Sequence, residues 1–313
     1  MYRIGIDLGG TNIKAGIIEE EGRIIRKDSV PTGAGRHYSE VIRDMANLAT
    51  GIIEEEGISK EEILSLGIGT PGSCDNRTGM LYYANNLNFH DVPMRAEMEK
   101  YINLPINIGN DANCAALGEY HGLDEKMDNV VFITLGTGVG GGIIINGSLY
   151  TGTNGSAAEV GHIVLVKDGK PCPCGRLGCW EAYASVTSLI DMSREFIINN
   201  PESDVAAACG GDSDKVSGKT AFELARAGSE NGKKIVDEWI SYVAEGIVDM
   251  INLFQPDILF VGGAISREGD FLLEPIRKYV ERGSYTTGKE RTRIEIARLG
   301  NDAGLIGAAF LGD

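Results

Sequence analysis

The sequence predicts an α/β protein of two lobes, and three observations carry that expectation. Apolar runs rich in Ile and Val, several ending in Gly or Thr, recur along the chain among stretches of helical spacing. At 313 residues the chain is long enough to bury two modest cores. Asp7-Leu-Gly-Gly-Thr11 and Leu135-Gly-Thr-Gly138 are both strand, Gly/Thr turn, strand, one at the start of the chain and one near its middle, which suggests a duplicated lobe.

Composition narrows the partners. Twenty-nine basic against 45 acidic residues give a formal charge of -16 with no long basic run, which argues against nucleic acid, since phosphate neutralisation needs clustered Lys and Arg. A nucleotide remains compatible, because backbone N–H groups and a divalent cation hold phosphates without net positive charge. Small molecules are therefore the expected partners. No apolar run reaches the roughly 20 residues that cross a bilayer, and the chain opens directly into a strand, so a cytoplasmic protein without membrane contact is expected. Cys74, Cys114 and Cys209 stand singly, as reduced thiols do.

In order, residues 2–7 read as a strand, Leu8 to Thr11 as a turn whose glycines permit positive φ and close approach, and residues 12–18 as the returning strand. The turn lacks the Gly-Lys-Ser/Thr of a P-loop, yet it makes a phosphate cradle in which Asp7 can hold a cation and Thr11 can donate a hydroxyl. The competing explanation is an ordinary glycine hairpin. Residues 39–56 show helical spacing with Gly57 as the stop, and residues 64–69 a buried strand. Tyr82 to Phe89 reads as a polar-aromatic loop. A strand at 105–109 delivers Asn110-Asp111-Ala112-Asn113 before a small-residue helix. Asp111 there is either an N-cap or a reactive carboxylate at a strand end, where α/β folds place ligands.

Residues 130–135 form a strong strand, and Gly136 to Gly142 matches Gly-x-Gly-x-x-Gly. That fingerprint must open a helix, whereas Ile143-Ile-Ile-Asn146-Gly147 is a β-branched run into a hairpin turn, so a dinucleotide fold is rejected. No His-Arg-Asp or Asp-Phe-Gly segment supports a protein kinase. Further on, residues 182–199 read as one long helix, 204–219 as a loop, and 219–254 as helix broken near 228–232 and ended by Pro256. A buried strand at 257–261 runs into Gly262-Gly263, either plain close packing or a bare backbone against a flat base. Residues 293–299 read as a strand and 301–310 as a small-residue helix.

Between Glu159 and Glu181 lie His162, Cys172, Cys174 and Cys179. Cys-x-Cys is a poor disulfide pair and leaves an odd thiol, whereas His162 with the three cysteines is a complete Cys3His set for tetrahedral zinc. The bland alternative is small residues in a Gly-rich loop. Four protein ligands leave no open position, so such a zinc would be structural and would fix Glu159 and Glu181 on either side of a rigid knot.

Taken together, Asp7 to Thr11, Asn110 to Asn113, Leu135 to Gly142, Glu159-Val-Gly-His162, Cys172 to Glu181 and Val261 to Gly263 resemble the ROK group (repressors, open reading frames and sugar kinases) across essentially the whole chain. The resemblance implies the actin-like ATPase (ribonuclease H-like) fold of actin, hexokinase and heat-shock ATPases. It implies an N-terminal lobe over 1–110 completed by a C-terminal helix at 300–313, and a C-terminal lobe over 111–299 with a zinc loop at 159–181. The activity it implies is ATP-dependent phosphorylation of a hexose, first of all the 6-hydroxyl of glucose, with N-acetylmannosamine, fructose and allose behind. Asp111 would be the general base and Asp7 would place magnesium. Gly9, Gly10, Thr11, Thr137 and Gly138 would hold phosphates, and Gly262 and Gly263 would border the adenosine. Asn86, Asn110, Asp111, Glu159, His162 and Glu181 would bind the sugar, His162 also serving the zinc. A homo-oligomer, dimer or tetramer, is implied as well. Ala158, where the family usually has Gly, and Phe89, where many members carry Trp, depart from its pattern near the expected sugar pocket. The other class the family contains, a sugar-responsive repressor, is disfavoured by the missing helix-turn-helix and the acidic charge.

Overall fold

The computed structural model describes residues 1–33, 35–125, 127–285 and 291–312. The first elements are β1 (Tyr2–Leu8), β2 (Asn12–Glu19), β3 (Ile24–Pro31), α1 (Tyr38–Glu56), β4 (Ile63–Thr70), β5 (Ser73–Asp75), β6 (Met80–Ala84), β7 (Phe89–Val92), α2 (Met94–Met98), β8 (Ile106–Asn110) and α3 (Asp111–His121). There follow β9 (Val130–Leu135), β10 (Val139–Ile145), β11 (Ser148–Leu149), α4 (Glu181–Ala184), α5 (Val186–Asn199), α6 (Asp204–Ala208), α7 (Thr220–Arg226) and α8 (Glu230–Phe254). The chain closes with β12 (Ile258–Gly262), α9 (Asp270–Gly283), β13 (Arg293–Ile296) and α10 (Ala303–Ala309). Two five-stranded sheets run β3-β2-β1-β4-β8 and β11-β10-β9-β12-β13, the same order of third, second, first, fourth and fifth strand in each. A small sheet joins β5, β6 and β7.

By compactness the chain falls into two units, one of Met1–Phe132, Gly142–Ala158 and Arg298–Asp313, the other of Ile133–Gly141 and Glu159–Ala297. In the first, β1 alternates, with Ile4, Ile6 and Leu8 fully buried, and α1 covers the sheet with Val41, Ile42, Met45, Ala49 and Ile52. Helix α10 lies on the sheet more closely than side chains would allow. A Cβ on Gly5 of β1 would stand 2.0 Å from the Leu305 carbonyl oxygen, and one on Gly67 of β4 would stand 1.7 Å from that of Ala308. In the second unit Trp180, Trp239, Phe222 and Phe260 are fully buried.

Three expectations are corrected. Tyr82 to Phe89 is not an irregular loop: β6 and β7 pair antiparallel with Tyr83 opposite His90, the tyrosines taking the outward positions. The helix expected over 182–199 is two, α4 and α5, because Ser185 is extended (φ -69, ψ 160) and its hydroxyl caps α5 by accepting from Ser188 N–H at 3.0 Å. The loop expected over 204–219 contains α6, capped by Ser203, whose hydroxyl accepts from Ala206 N–H.

Candidate active site

In the first unit the parallel register aligns Asp7 with Gly69 and Gly69 with Gly109, so β1, β4 and β8 end at the same edge of the sheet. Asp7 faces Lys14 across the β1–β2 hairpin, and the ammonium donates to Oδ2 at 3.0 Å. Oδ1 has no partner among the described residues. The turn between them needs close approach rather than positive φ: neither Gly9 nor Gly10 is left-handed, and a Cβ on Gly9 would stand 2.9 Å from the Asn12 carbonyl oxygen. Buried Thr32 braces it, its hydroxyl donating to Gly9 O at 2.6 Å and its N–H to Thr11 O at 2.8 Å. Thr11 is exposed, and its hydroxyl has no partner among the described residues. Asn86, exposed in a single 3-10 turn, has its Cβ 3.6 Å from where a Cβ of Gly10 would be.

The capping role at α3 belongs to Asn110. Its Oδ1 accepts from Ala112 N–H at 2.8 Å and from Asn113 N–H at 3.3 Å, while Nδ2 donates to Gly72 O at 3.0 Å. Asp111 is the first helical residue, exposed, with Oδ1 accepting from Ala112 N–H at 2.8 Å. A carboxylate in the first turn is favoured by the positive end of the helix dipole. Burial pushes the nearby Cys74 thiol up to about 12, and the carboxylates of Asp111 and Asp75 add to the shift.

In the second unit the Gly136 to Gly138 turn closes with Gly136 N–H donating to Gly138 O at 3.0 Å. Glu181 holds it from behind: Oε2 accepts from Val139 N–H at 2.9 Å, and a Cβ on Gly138 would fall 2.1 Å from that oxygen. The Thr187 hydroxyl donates to Thr137 O at 2.8 Å, leaving the exposed Thr137 hydroxyl without a partner among the described residues. Gly161 abuts the same turn, since its Cβ would stand 2.2 Å from Val139 O, and Gly263 (φ 88) would put a Cβ 2.1 Å from Leu135 O. Glu159 is exposed at the start of a 3-10 turn over Val160–His162, and its carboxylate has no partner among the described residues.

The cysteine-rich segment gathers into one cluster. The ligand atoms of His162, Cys172, Cys174 and Cys179 all lie within 4.8 Å of one another, with His162 Nδ1 3.6 Å from Cys172 Sγ and Cys174 Sγ 3.6 Å from Cys179 Sγ. A tetrahedron of zinc–sulfur bonds of about 2.3 Å has sulfur–sulfur edges of roughly 3.8 Å, so donor set and spacing fit zinc. Arg176 locks the loop by donating to His162 O at 2.9 Å, and Trp180, fully buried, donates from Nε1 to Tyr242 O at 2.8 Å.

Each unit thus assembles its own share of the expected residues: Asp7, Gly9 to Thr11, Asn86, Asn110 and Asp111 in the first, and Thr137, Gly138, Glu159, His162, Glu181, Gly262 and Gly263 in the second. Phe89 is 4% exposed and packs edge-on to Tyr38 in the core. Ala158, by contrast, is in the left-handed region at φ 65, where only glycine is at ease. Sequence reasoning missed Lys14 and Thr32. Lys14 was within reach, because a hairpin turning at residues 10–11 puts residue 14 opposite residue 7.

The comparisons with known proteins agree in extent. A glucokinase of Streptomyces coelicolor is 40% identical over 98% of this chain and 96% of its own length. A glucokinase of Halalkalibacterium halodurans is 35% identical over 99% of this chain and 94% of its own. Among solved structures, a ROK family glucokinase from Streptomyces griseus in complex with glucose and AMPPNP superposes with a TM-score of 0.80 at 36% identity, covering 99% of both chains. Since the ROK family model matches residues 3–313, the fold is the α/β actin-like ATPase fold of these sugar kinases, and the chain belongs to the ROK family.

Proposed function

We propose that this chain is an ATP-dependent hexose kinase that phosphorylates the 6-hydroxyl of glucose. Supporting this are the glucokinase relatives spanning its full length and, above all, the placement of Asp111. Asn110 takes the capping duty, so the Asp111 carboxylate is presented at the edge where β1, β4 and β8 end. There it accepts the proton of the sugar hydroxyl as that oxygen attacks the γ-phosphorus and the bond to the ADP oxygen breaks. A magnesium ion at Asp7, when bound, neutralises phosphate charge. The hydroxyls of Thr11 and Thr137 and the backbone of Gly9, Gly10 and Gly138 hold phosphate oxygens, and Gly262 and Gly263 border the adenosine.

Asn86, Asn110, Glu159, His162 and Glu181 bind sugar hydroxyls. With His162 Nδ1 turned toward Cys172, Nε2 is the nitrogen left for a hydroxyl, and Glu181 offers Oε1, which among the described residues meets only Cys172 Sγ at 3.8 Å, its Oε2 being taken by Val139. Zinc on His162, Cys172, Cys174 and Cys179 is structural. The shared strand order of the two sheets supports a duplicated lobe. No described helix is long and apolar enough to cross a membrane, and a reaction drawing on ATP suits the cytoplasm. A dimer or tetramer belongs to the same reading, and sedimentation tests it.

A coupled ADP-release assay with glucose, N-acetylmannosamine, fructose and allose tests the reaction. Glucose is expected to give the highest kcat/KM, and another sugar in front would reassign the substrate. Asp111→Asn is expected to keep glucose binding and lose roughly 10²–10⁴-fold in turnover. Normal turnover in that variant would sink the base assignment.

A further inference from the structure

Glu119 sits in the last turns of α3, 2% exposed. Its Oε2 accepts from the Arg298 N–H at 2.9 Å and its Oε1 from the Leu299 N–H at 2.8 Å. A buried carboxylate spent entirely on two successive backbone donors acts as a clamp on that segment. Just beyond it, the Asn301 carbonyl accepts from Lys14 Nζ at 3.3 Å, and that same ammonium donates to Asp7 Oδ2 at 3.0 Å. Gly304 follows in the first turn of α10, where a Cβ would lie 3.7–4.0 Å from the Asp7 carboxyl atoms.

Helix α10 then runs along α3 with almost no side chain between them. A Cβ on Gly118 would stand 2.1 Å from Ala303 O, and one on Gly307 would stand 1.7 Å from Cys114 O. Backbones that close cannot slide independently. The helix opened by Asp111 and the segment lying against Asp7 are therefore one rigid piece within this unit, fastened by Glu119.

We propose that Glu119 is a positioning residue for phosphoryl transfer: by clamping the 298–299 backbone it sets residues 301–304 against Asp7 and couples the placement of Asp7 to the helix that presents Asp111. The inference rests on the roles given above to Asp7 and Asp111. A purely structural anchor would lower stability and nothing else, so the test must read the metal and the chemistry separately.

Four variants of the full chain are compared by kcat, glucose Kd, magnesium half-saturation of the rate, and Tm. Glu119→Gln keeps one acceptor of two, and it is expected to lose roughly ten-fold in kcat with a raised magnesium half-saturation and an unchanged glucose Kd. Gly304→Ala adds a methyl beside Asp7 without a clash at a helical position, so Tm is expected to hold or rise while magnesium half-saturation still climbs. Val41→Ala, a core truncation in α1, is expected to lower Tm and leave magnesium half-saturation alone. Asp7→Asn calibrates the site. If it changes turnover while Glu119→Gln and Gly304→Ala leave magnesium half-saturation at the native value, the clamp is overturned and the active-site reading stands. If Asp7→Asn is silent, the role of Asp7 fails and takes the clamp with it.

Discussion

The Glu181 carboxylate accepts a hydrogen bond from the Val139 backbone N–H at 2.9 Å, so the last residue of the cysteine-rich stretch holds the first residue of the strand leaving the Gly-Thr-Gly turn. Knot and turn are thereby one object within their unit. The consequence is that a change made for the knot is read at the turn. Glu181→Ala strips a part-buried N–H of its acceptor, costing about 1–3 kcal/mol. Gly138→Ala drives a methyl into the space of Glu181 Oε2, only 2.1 Å away, and must displace that side chain or the turn. Both are expected to raise the KM for ATP. An unchanged KM for ATP in Gly138→Ala would show that the turn does not hold phosphates.

The same cluster makes a metal prediction. About one zinc per chain is expected in protein purified without chelator. Stripping it is expected to lower Tm and to expose Cys172, Cys174 and Cys179 to thiol reagents. Cys74 and Cys114 are fully or almost fully buried, and burial raises both thiols, Cys74 to about 12. Thiolate is the reactive form, so at pH 8 these two should stay unlabelled until the protein unfolds, whatever happens to the metal. Thiol counting before and after chelation checks this; labelling of all six cysteines in the native metal-bound protein would contradict it.

Which parts of this were readable in the residues follows from how local each signal is. Asp7, the glycine turns and Asn110-Asp111 lie in short motifs whose local geometry is set within a few positions, and the Cys3His set gathers from residues 162 to 179 of a single segment. The rejection of a dinucleotide site was equally local, because Val139–Ile145 continues as strand β10. Contacts that depend on distant chain were not readable. Thr32 supports Gly9 from 23 positions away, and Asn301 meets Lys14 across 287. The break at Ser185, marked locally by its cap on α5, is reinforced by distant chain, because the Trp239 indole donates to its carbonyl at 3.0 Å.

Trp180 and Gly246 give a packing prediction. The indole fills the space a side chain at 246 would need, with ring carbons 2.0–2.5 Å from a Cβ there, and both residues are buried between the knot and α8. Gly246→Ala is expected to cost about 1–3 kcal/mol through overpacking, although alanine is the better helix former. Trp180→Phe removes the Nε1–H that Tyr242 O accepts and should cost about 1–3 kcal/mol. Denaturant unfolding with an unchanged m-value measures both. A Gly246→Ala variant as stable as the native protein would mean that Trp180 is free to move aside.

Ala158 immediately precedes Glu159, and its φ of 65 places an L side chain where its Cβ crowds the backbone. That conformation costs about 1–2 kcal/mol for a residue other than glycine. Glycine loses more entropy on folding, about 0.4–1 kcal/mol, which offsets part of the gain. Ala158→Gly is therefore expected to stabilise the protein by about 0.5–1 kcal/mol, and Ala158→Val, β-branched and stiffer, to destabilise it by more than that. The functional expectation has the opposite sign. Alanine restricts the backbone that presents the exposed Glu159 carboxylate, so freeing it should raise the KM for glucose while leaving the KM for ATP in place. Steady-state kinetics on Ala158→Gly separates the two: a gain in Tm with both KM values unchanged would mean that Glu159 does not meet the sugar.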